Sequence, residues 1–306
     1  MNKYNIILHT TTSCNFDCSY CDVVKDKKQL DSEKLEIFIN FIKKNKEQIN
    51  LVKFFGGEPL LAFKNIKYII ENTANIIGNK YELVTNTSLL NEEICDYLEK
   101  YFEIIFFSID SENFFDYNNI FKLIDKYNLK NKVYFNLIIS PGKEAEAYNQ
   151  FEKIYSSGYK NFNILPVYFT KIWNKDDLSN LSSVMKNILD KSLLDKEINL
   201  FGFQKNTGYN SSLTYDALFI DIDYKIYYSD FVSTFLGKKI KDDLYIGNLD
   251  NFLIGDDLED ILLKKNNKLD LYEKSITSKI KGQIELHKIM DYFSKYLNIK
   301  KGILKD

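Results

Sequence analysis

The chain has 306 residues, 41 basic and 43 acidic side chains for a formal charge of −2 at pH 7, and 45% hydrophobic content. That suits one large domain, or one domain with a small appendage, with enough apolar material for a sizeable core. The near-neutral charge gives no global electrostatic case for a nucleic-acid or acidic-membrane partner, and four cysteines with three inside one short run do not make the spread of thiols that a secreted disulfide framework needs.

The most apolar run, Ile104-Ile105-Phe106-Phe107, is far too short to span a bilayer. Met1-Asn2-Lys3-Tyr4 carries no long apolar region ahead of the first strand. A reducing cytoplasm with little oxygen is the expected setting. Every basic residue is a lysine. Without a guanidinium fork, any carboxylate or phosphate must be held by lysine, backbone N–H or neutral side chains.

In chain order, strand-like runs fall at Ile6 to Leu8 (ending in the polar His9), Leu51 to Phe55, Tyr81 to Val84, Ile104 to Ile109, Val133 to Ile139 and Phe162 to Val167. Helical patterns lie between and after them. In Glu33 to Lys44 the apolar Leu35, Phe38, Ile39 and Ile42 recur at i, i+3, i+4, i+7. Similar stretches cover 65–77, 91–100, 117–127, 144–157 and 176–190. Six strand–helix units predict a parallel sheet, since parallel neighbours need a crossover helix. Six are fewer than the eight of a closed barrel, so the expected fold is α/β, a partial (β/α)6 TIM-like barrel. A second texture begins near residue 200. Ala217 to Ile222 and Lys225 to Tyr228 read as a hairpin around Asp223-Tyr224, and helical periodicity covers roughly 256–265 and 270–298. This predicts a barrel over 1–195 and a small α+β extension over 196–306.

The chemistry concentrates just after the first strand, in Cys14-Asn15-Phe16-Asp17-Cys18-Ser19-Tyr20-Cys21. Strand ends on this side of a parallel sheet are where ligands gather. Three thiolates on one loop can bind three irons of a cubane and leave the fourth iron free of protein ligands. Zinc is the rival metal, but it wants a fourth ligand. His9 at the strand end and Cys95 on a predicted helix are poor candidates, and Cys95 reads more simply as a small buried apolar residue. Gly56-Gly57-Glu58-Pro59 follows the second strand. Its glycines allow close backbone approach to a ligand, its carboxylate can accept from an ammonium, and a plain strand-to-helix turn is the simpler alternative.

The cysteine loop and the glycine motif together resemble the radical S-adenosylmethionine superfamily, over about the first 170 residues. The resemblance implies one [4Fe–4S] cluster on Cys14, Cys18 and Cys21, and S-adenosylmethionine chelating the open iron. It implies that Tyr20 lies against the adenine and that Gly56, Gly57, Glu58 and Pro59 bind the methionine amino group. Thr85 and Asn86 after the third strand, with Ser108 and Asp110 at the end of the fourth, fall where relatives contact ribose or the methionine carboxylate. A polar strand end that caps the next element is the alternative for Ser108 and Asp110. Relatives often clamp that carboxylate with arginine; here Lys122 or a neutral group must substitute. Reductive cleavage of the cofactor would yield a 5′-deoxyadenosyl radical that abstracts hydrogen from a substrate.

Residues 219–229 and 245–249 resemble the hairpin and later turn of the C-terminal extension in peptide-modifying members. Relatives place a cysteine where Ser229 stands, and no cysteine follows Cys95, so no auxiliary cluster can be built from thiolates there. An unrelated hairpin is the alternative. The implied function is hydrogen abstraction from a peptide in its maturation, with an electron donor such as flavodoxin or ferredoxin and no nucleic-acid or membrane partner. A glycyl-radical-enzyme activase and a non-catalytic S-adenosylmethionine-binding protein are the alternatives. No catalytic acid or base can be named from the sequence.

Overall fold

The computed structural model of the protein describes residues 3–110, 112, 116–201, 217–255 and 258–300. Six strand–helix units come first: β1 (Tyr4–Thr11) and α1 (Leu35–Asn45), β2 (Ile49–Gly56) and α2 (Phe63–Ile77), β3 (Tyr81–Thr85) and α3 (Glu92–Tyr101), β4 (Phe102–Ile109) and α4 (Tyr117–Lys126), β5 (Val133–Ile139) and α5 (Glu144–Ser156), β6 (Asn161–Pro166) and α6 (Lys175–Leu194). There follow β7 (Asn199–Leu200), β8 (Ala217–Ile220), β9 (Lys225–Tyr227), α7 (Lys241–Leu244), β10 (Tyr245–Asn248), α8 (Leu258–Thr277) and α9 (Gln283–Lys300).

Among the described residues the strands form one sheet in the order β10-β9-β8-β1-β2-β3-β4-β5-β6-β7. Strands β1 to β7 run parallel in sequence order, and β8 adds in parallel to the free side of β1. The two ends of this order do not pair, so the barrel is partial, as the count of units predicts. The sheet continues past residue 195 through β8, and the predicted hairpin follows, with Phe219 opposite Tyr227 and Ile220 opposite Ile226. Its turn is fixed by Asp221, whose Oδ1 accepts the backbone N–H of Asp223 and of Lys225, both at 3.0 Å.

Strand alternation sorts the side chains of β1 between two cores. Ile6 and Leu8 pack with Phe38, Phe41, Ile66 and Ile70 beneath the helices. Ile7 points to the other face, against Ala217, Phe219, Tyr227 and Phe231. Aromatic volume fills the helix side: Phe54, Tyr81 and Phe102 stand 6.0–6.2 Å apart, ring to ring. Cys95 is fully buried in that core, as its helical position suggested.

The terminal helices differ from expectation. The periodicity suggested a break near residue 266, but α8 runs unbroken from Leu258 to Thr277 and the break falls at 278–282. Buried Leu269 and Ile276 hold the second half of α8 on the extension core, which outweighs the weak helix propensity of Asn266 and Asn267. The true break is set by Gly282, at φ +85. A Cβ there would lie 2.0 Å from the Trp173 carbonyl oxygen. Gly282→Ala is therefore expected to destabilise the protein by about 2–4 kcal/mol through positive-φ strain plus overlap with backbone, measured as a lower urea midpoint with an unchanged slope.

Candidate functional site

The cysteine loop leaves the carboxyl end of β1 and is held there by the turn after β2. Gly57 N–H donates to the Thr11 carbonyl at 2.7 Å, and Glu58 N–H donates to the Ser13 carbonyl at 2.8 Å. A Cβ on Gly57 would sit 2.1 Å from the Ser13 carbonyl oxygen and 3.0 Å from Cys14 N. The close approach that the glycines permit is thus made to the backbone at the root of the cysteine loop.

Glu58 is 1% exposed. Its Oε1 accepts from Leu60 N at 3.0 Å and Thr85 Oγ1 at 2.8 Å, and its Oε2 from Asn86 N at 2.7 Å. Burial raises the carboxyl pKa, and these donors oppose it. The carboxylate ties the start of the turn at Pro59 to the end of β3, and so places Asn86. The Asn86 amide in turn reaches Asn15 Oδ1 at 2.9 Å and Cys14 Sγ at 3.9 Å.

The loop is clamped on its far side as well. Tyr20 donates its hydroxyl to Asp110 Oδ2 at 2.6 Å; burial, then Asp110, drives its pKa strongly up. Glu112 accepts from the backbone N–H and hydroxyl of Ser19. Thr170 Oγ1 donates to the Tyr20 carbonyl at 2.8 Å, and Lys171 Nζ to Ser19 Oγ at 2.8 Å. From the extension, Val24 N–H donates to the Ser233 carbonyl and Phe235 N–H to the Asp22 carbonyl, both at 3.0 Å, around a bridge between Val23 and Thr234.

The structure thus gathers Cys14, Glu58, Thr85 and Asn86 on one side of the loop, and Tyr20 with Asp110 on the other. Ser108 sits one layer away, within 3.5 Å of the Asn136 amide. Lys122 lies exposed on α4 and acts electrostatically on Glu92, so it does not stand in for an arginine at the strand ends. The lysines at the loop are Lys25 and Lys171. Sequence reasoning missed Lys25, Glu112, Thr170, Lys171 and Ser233. Only Lys25 and Glu112 carried a signal, by nearness in sequence to Cys21 and Asp110; the others arrive from chain distant by more than a hundred residues.

The thiols have the surroundings of metal ligands. Cys14, Cys18 and Cys21 form no disulfide and are half-exposed. Cys14 Sγ accepts from Phe16 N at 3.4 Å. Burial pushes the Cys21 thiol up, while the Val23 N–H and Lys25 pull it down. Burial also disfavours the Lys25 ammonium, but Cys21, Asp17 and Cys14 outweigh it and leave its pKa raised. Cys21 is left above its ordinary value, with Lys25 and the Val23 N–H acting toward thiolate, the form that binds iron. Among the described residues no three His, Cys, Asp or Glu groups converge tightly enough to hold a single ion. Three cysteines on one loop supply the three protein ligands that a cubane with one open iron needs. The residues present therefore fit a cluster with three protein ligands.

His9, weighed as a zinc ligand, is 3% exposed and lies between Phe55 and Phe219, ring centroids 6.0 and 5.6 Å away. Burial lowers its pKa to about 4, with Asp221 and Asp26 opposing, so the ring is neutral. Ser229, at the position of a relative's cysteine, is 1% exposed and caps the short 3-10 turn Asp230–Ser233, its hydroxyl accepting from Phe231 N at 3.2 Å.

Residues 8–167 match the Radical SAM superfamily, and the chain belongs to it. Its cofactors are accordingly a [4Fe–4S] cluster and S-adenosylmethionine. The chain is 30% identical over 131 residues to the radical SAM cyclopropyl synthase TigE of Paramaledivibacter caminithermalis, a match covering 35% of this chain and 27% of TigE. The chain spans about a third of the length of the curated relatives it matches. In three dimensions it resembles anSMEcpe, solved with bound AdoMet, at 16% identity and a TM-score of 0.67 over 87% of this chain and 82% of that one. SuiB of Streptococcus suis, solved bound to S-adenosylmethionine, matches at 16% identity and 0.57 over 76% and 61%. These likenesses are of fold. Among the described residues, no helix is long and apolar enough to cross a membrane.

Two outcomes follow for this site. Gly57→Ala forces a Cβ into the Ser13 carbonyl; it is expected to cost roughly 2 kcal/mol or more and to lower iron bound per chain after anaerobic reconstitution, measured by metal and sulfide assay. His9 gives stability that is complete above pH 6.5 and is lost as pH falls through about 4, because the unfolded chain takes a proton that the buried ring refuses. The window is worth about 3 kcal/mol, and His9→Phe should flatten that limb of the urea midpoint plotted against pH.

Proposed function

We propose that the chain is a radical S-adenosylmethionine enzyme that abstracts hydrogen from a peptide. The observation that carries the enzyme reading is the loop of three cysteines outside any disulfide, rooted against the bare backbone of Gly57, with Lys25 acting on Cys21 and Cys14. In this reading Cys14, Cys18 and Cys21 each hold one iron. Together the cluster and S-adenosylmethionine supply a 5′-deoxyadenosyl radical when bound. The chain's own part is to bind, orient and exclude water.

Tyr20, Thr85, Asn86, Ser108 and Asp110 are assigned as S-adenosylmethionine contacts flanking the loop, with Gly56, Gly57 and Pro59 of the turn. Glu58 is assigned a positioning role, since its oxygens accept from Leu60, Thr85 and Asn86. An electron donor of the flavodoxin or ferredoxin kind belongs to the same proposal. The peptide substrate is supported by fold neighbours solved with peptides: anSMEcpe with Kp18Cys peptide and SuiB with its precursor peptide SuiA. Residues 233–235 of the extension, bonded to residues 22–24 just after the cysteine loop, are compatible with such a substrate.

Anaerobic reconstitution should give about four irons and four sulfides per chain, and reductant with S-adenosylmethionine should release 5′-deoxyadenosine. Cys14→Ser, Cys18→Ser and Cys21→Ser should each lose both. A fully loaded cluster that releases no 5′-deoxyadenosine would overturn the catalytic reading and leave a cofactor-binding protein.

A further inference from the structure

A cleft of ≈ 210 Å³ opens beside the cysteine loop, lined among others by Asp22, Phe55, Tyr168, Phe169, Asp230 and Phe231. It sits at the business end of the sheet: Asp22 follows Cys21, Phe55 precedes Gly56, and Tyr168 and Phe169 come just after β6. Its size suits a side-chain head rather than a nucleoside.

The lining is of two kinds. Three rings form a continuous wall, Tyr168 to Phe169 at 6.0 Å and Phe169 to Phe231 at 6.2 Å between centroids, and Phe55 adds a fourth aromatic face. Facing them are two carboxylates from opposite ends of the chain. The bridge between Val23 and Thr234, with the bonds from Val24 to Ser233 and from Phe235 to Asp22, ties residues 22–24 to residues 233–235, close enough for Asp230 to act electrostatically on Asp22. Among the described residues neither carboxylate is ion-paired. Burial raises the Asp230 pKa and the Lys53 field and Ser229 oppose it, but Lys53 Nζ is itself 3.6 Å from Glu82 Oε2 and 4.6 Å above the Phe106 ring.

Aromatic faces and carboxylates share one preferred guest. Ring faces attract a cation through their quadrupole and accept a methylene stem by apolar contact. Two carboxyl groups set beside those rings, neither ion-paired among the described residues, offer an arriving cation its acceptors. We propose that this cleft binds the alkylammonium group of the substrate, the chemistry of a lysine side chain. The inference rests on the radical-enzyme reading above for its meaning, but its binding test does not.

The test uses the reconstituted holoenzyme with S-adenosylmethionine and n-butylammonium as the probe, observed by ligand NMR. Binding is expected, with n-butanol at least about tenfold weaker, a difference of about 1.4 kcal/mol. Asp230→Asn and Phe231→Leu should each weaken the amine several-fold and leave n-butanol unchanged; the second variant keeps the charge and serves if the first fails to fold. No amine binding, equal binding of amine and alcohol, or amine binding indifferent to both variants would overturn the proposal. Glycinamide binding as tightly as n-butylammonium would overturn the side-chain assignment in favour of a peptide amino terminus. Release of 5′-deoxyadenosine, measured on the same preparation, separates this failure from failure of the enzyme reading.

Discussion

Two backbone hydrogen bonds, from Gly57 to Thr11 and from Glu58 to Ser13, join the end of β2 to the root of the cysteine loop. They form only because Gly57 has no Cβ; any side chain would overlap the Ser13 carbonyl. The contact fixes where Cys14 begins. It also sends the chain directly into Glu58, whose buried carboxylate gathers Leu60, Thr85 and Asn86. The ends of three strands are thereby held in one frame, and the thiols hang from it.

A loop of eight residues with no regular structure needs more than one anchor. Here the anchors come from β1 and β2 beneath, from Asp110 and Glu112 after β4, from Thr170 and Lys171 after β6, and from residues 233–235 of the extension. Backbone carbonyls and N–H groups supply part of this, and the Ser19 and Tyr20 side chains supply the rest. The extension therefore has a structural part in the site with Ser229 as a helical-turn cap. A hydroxyl there is satisfied by a backbone N–H, and its burial needs no metal.

Polar groups on the sheet's inner side follow the same logic of satisfaction. Lys53 is paired with Glu82, and Asn163 donates to Asn136 at 2.9 Å. His9 is kept neutral by burial between two rings. Among the described residues Asp22 and Asp230 have no ion-pair partner, and burial raises both carboxyl pKa values.

By itself the sequence determined the six strand–helix units, the cysteine loop and its place after the first strand, because apolar periodicity and short-range spacing are local properties. The family follows from that local pattern. It misjudged the break between the last two helices, where burial of Leu269 and Ile276 outweighed propensity, and it looked for a carboxylate partner in Lys122, which the fold puts on an outer helix. Only the tertiary structure decided that the glycines serve the loop's backbone and that Glu58 faces its own chain. It alone brought Asp22 and Asp230 together, since no pattern along a chain reports a contact that closes two hundred residues of it.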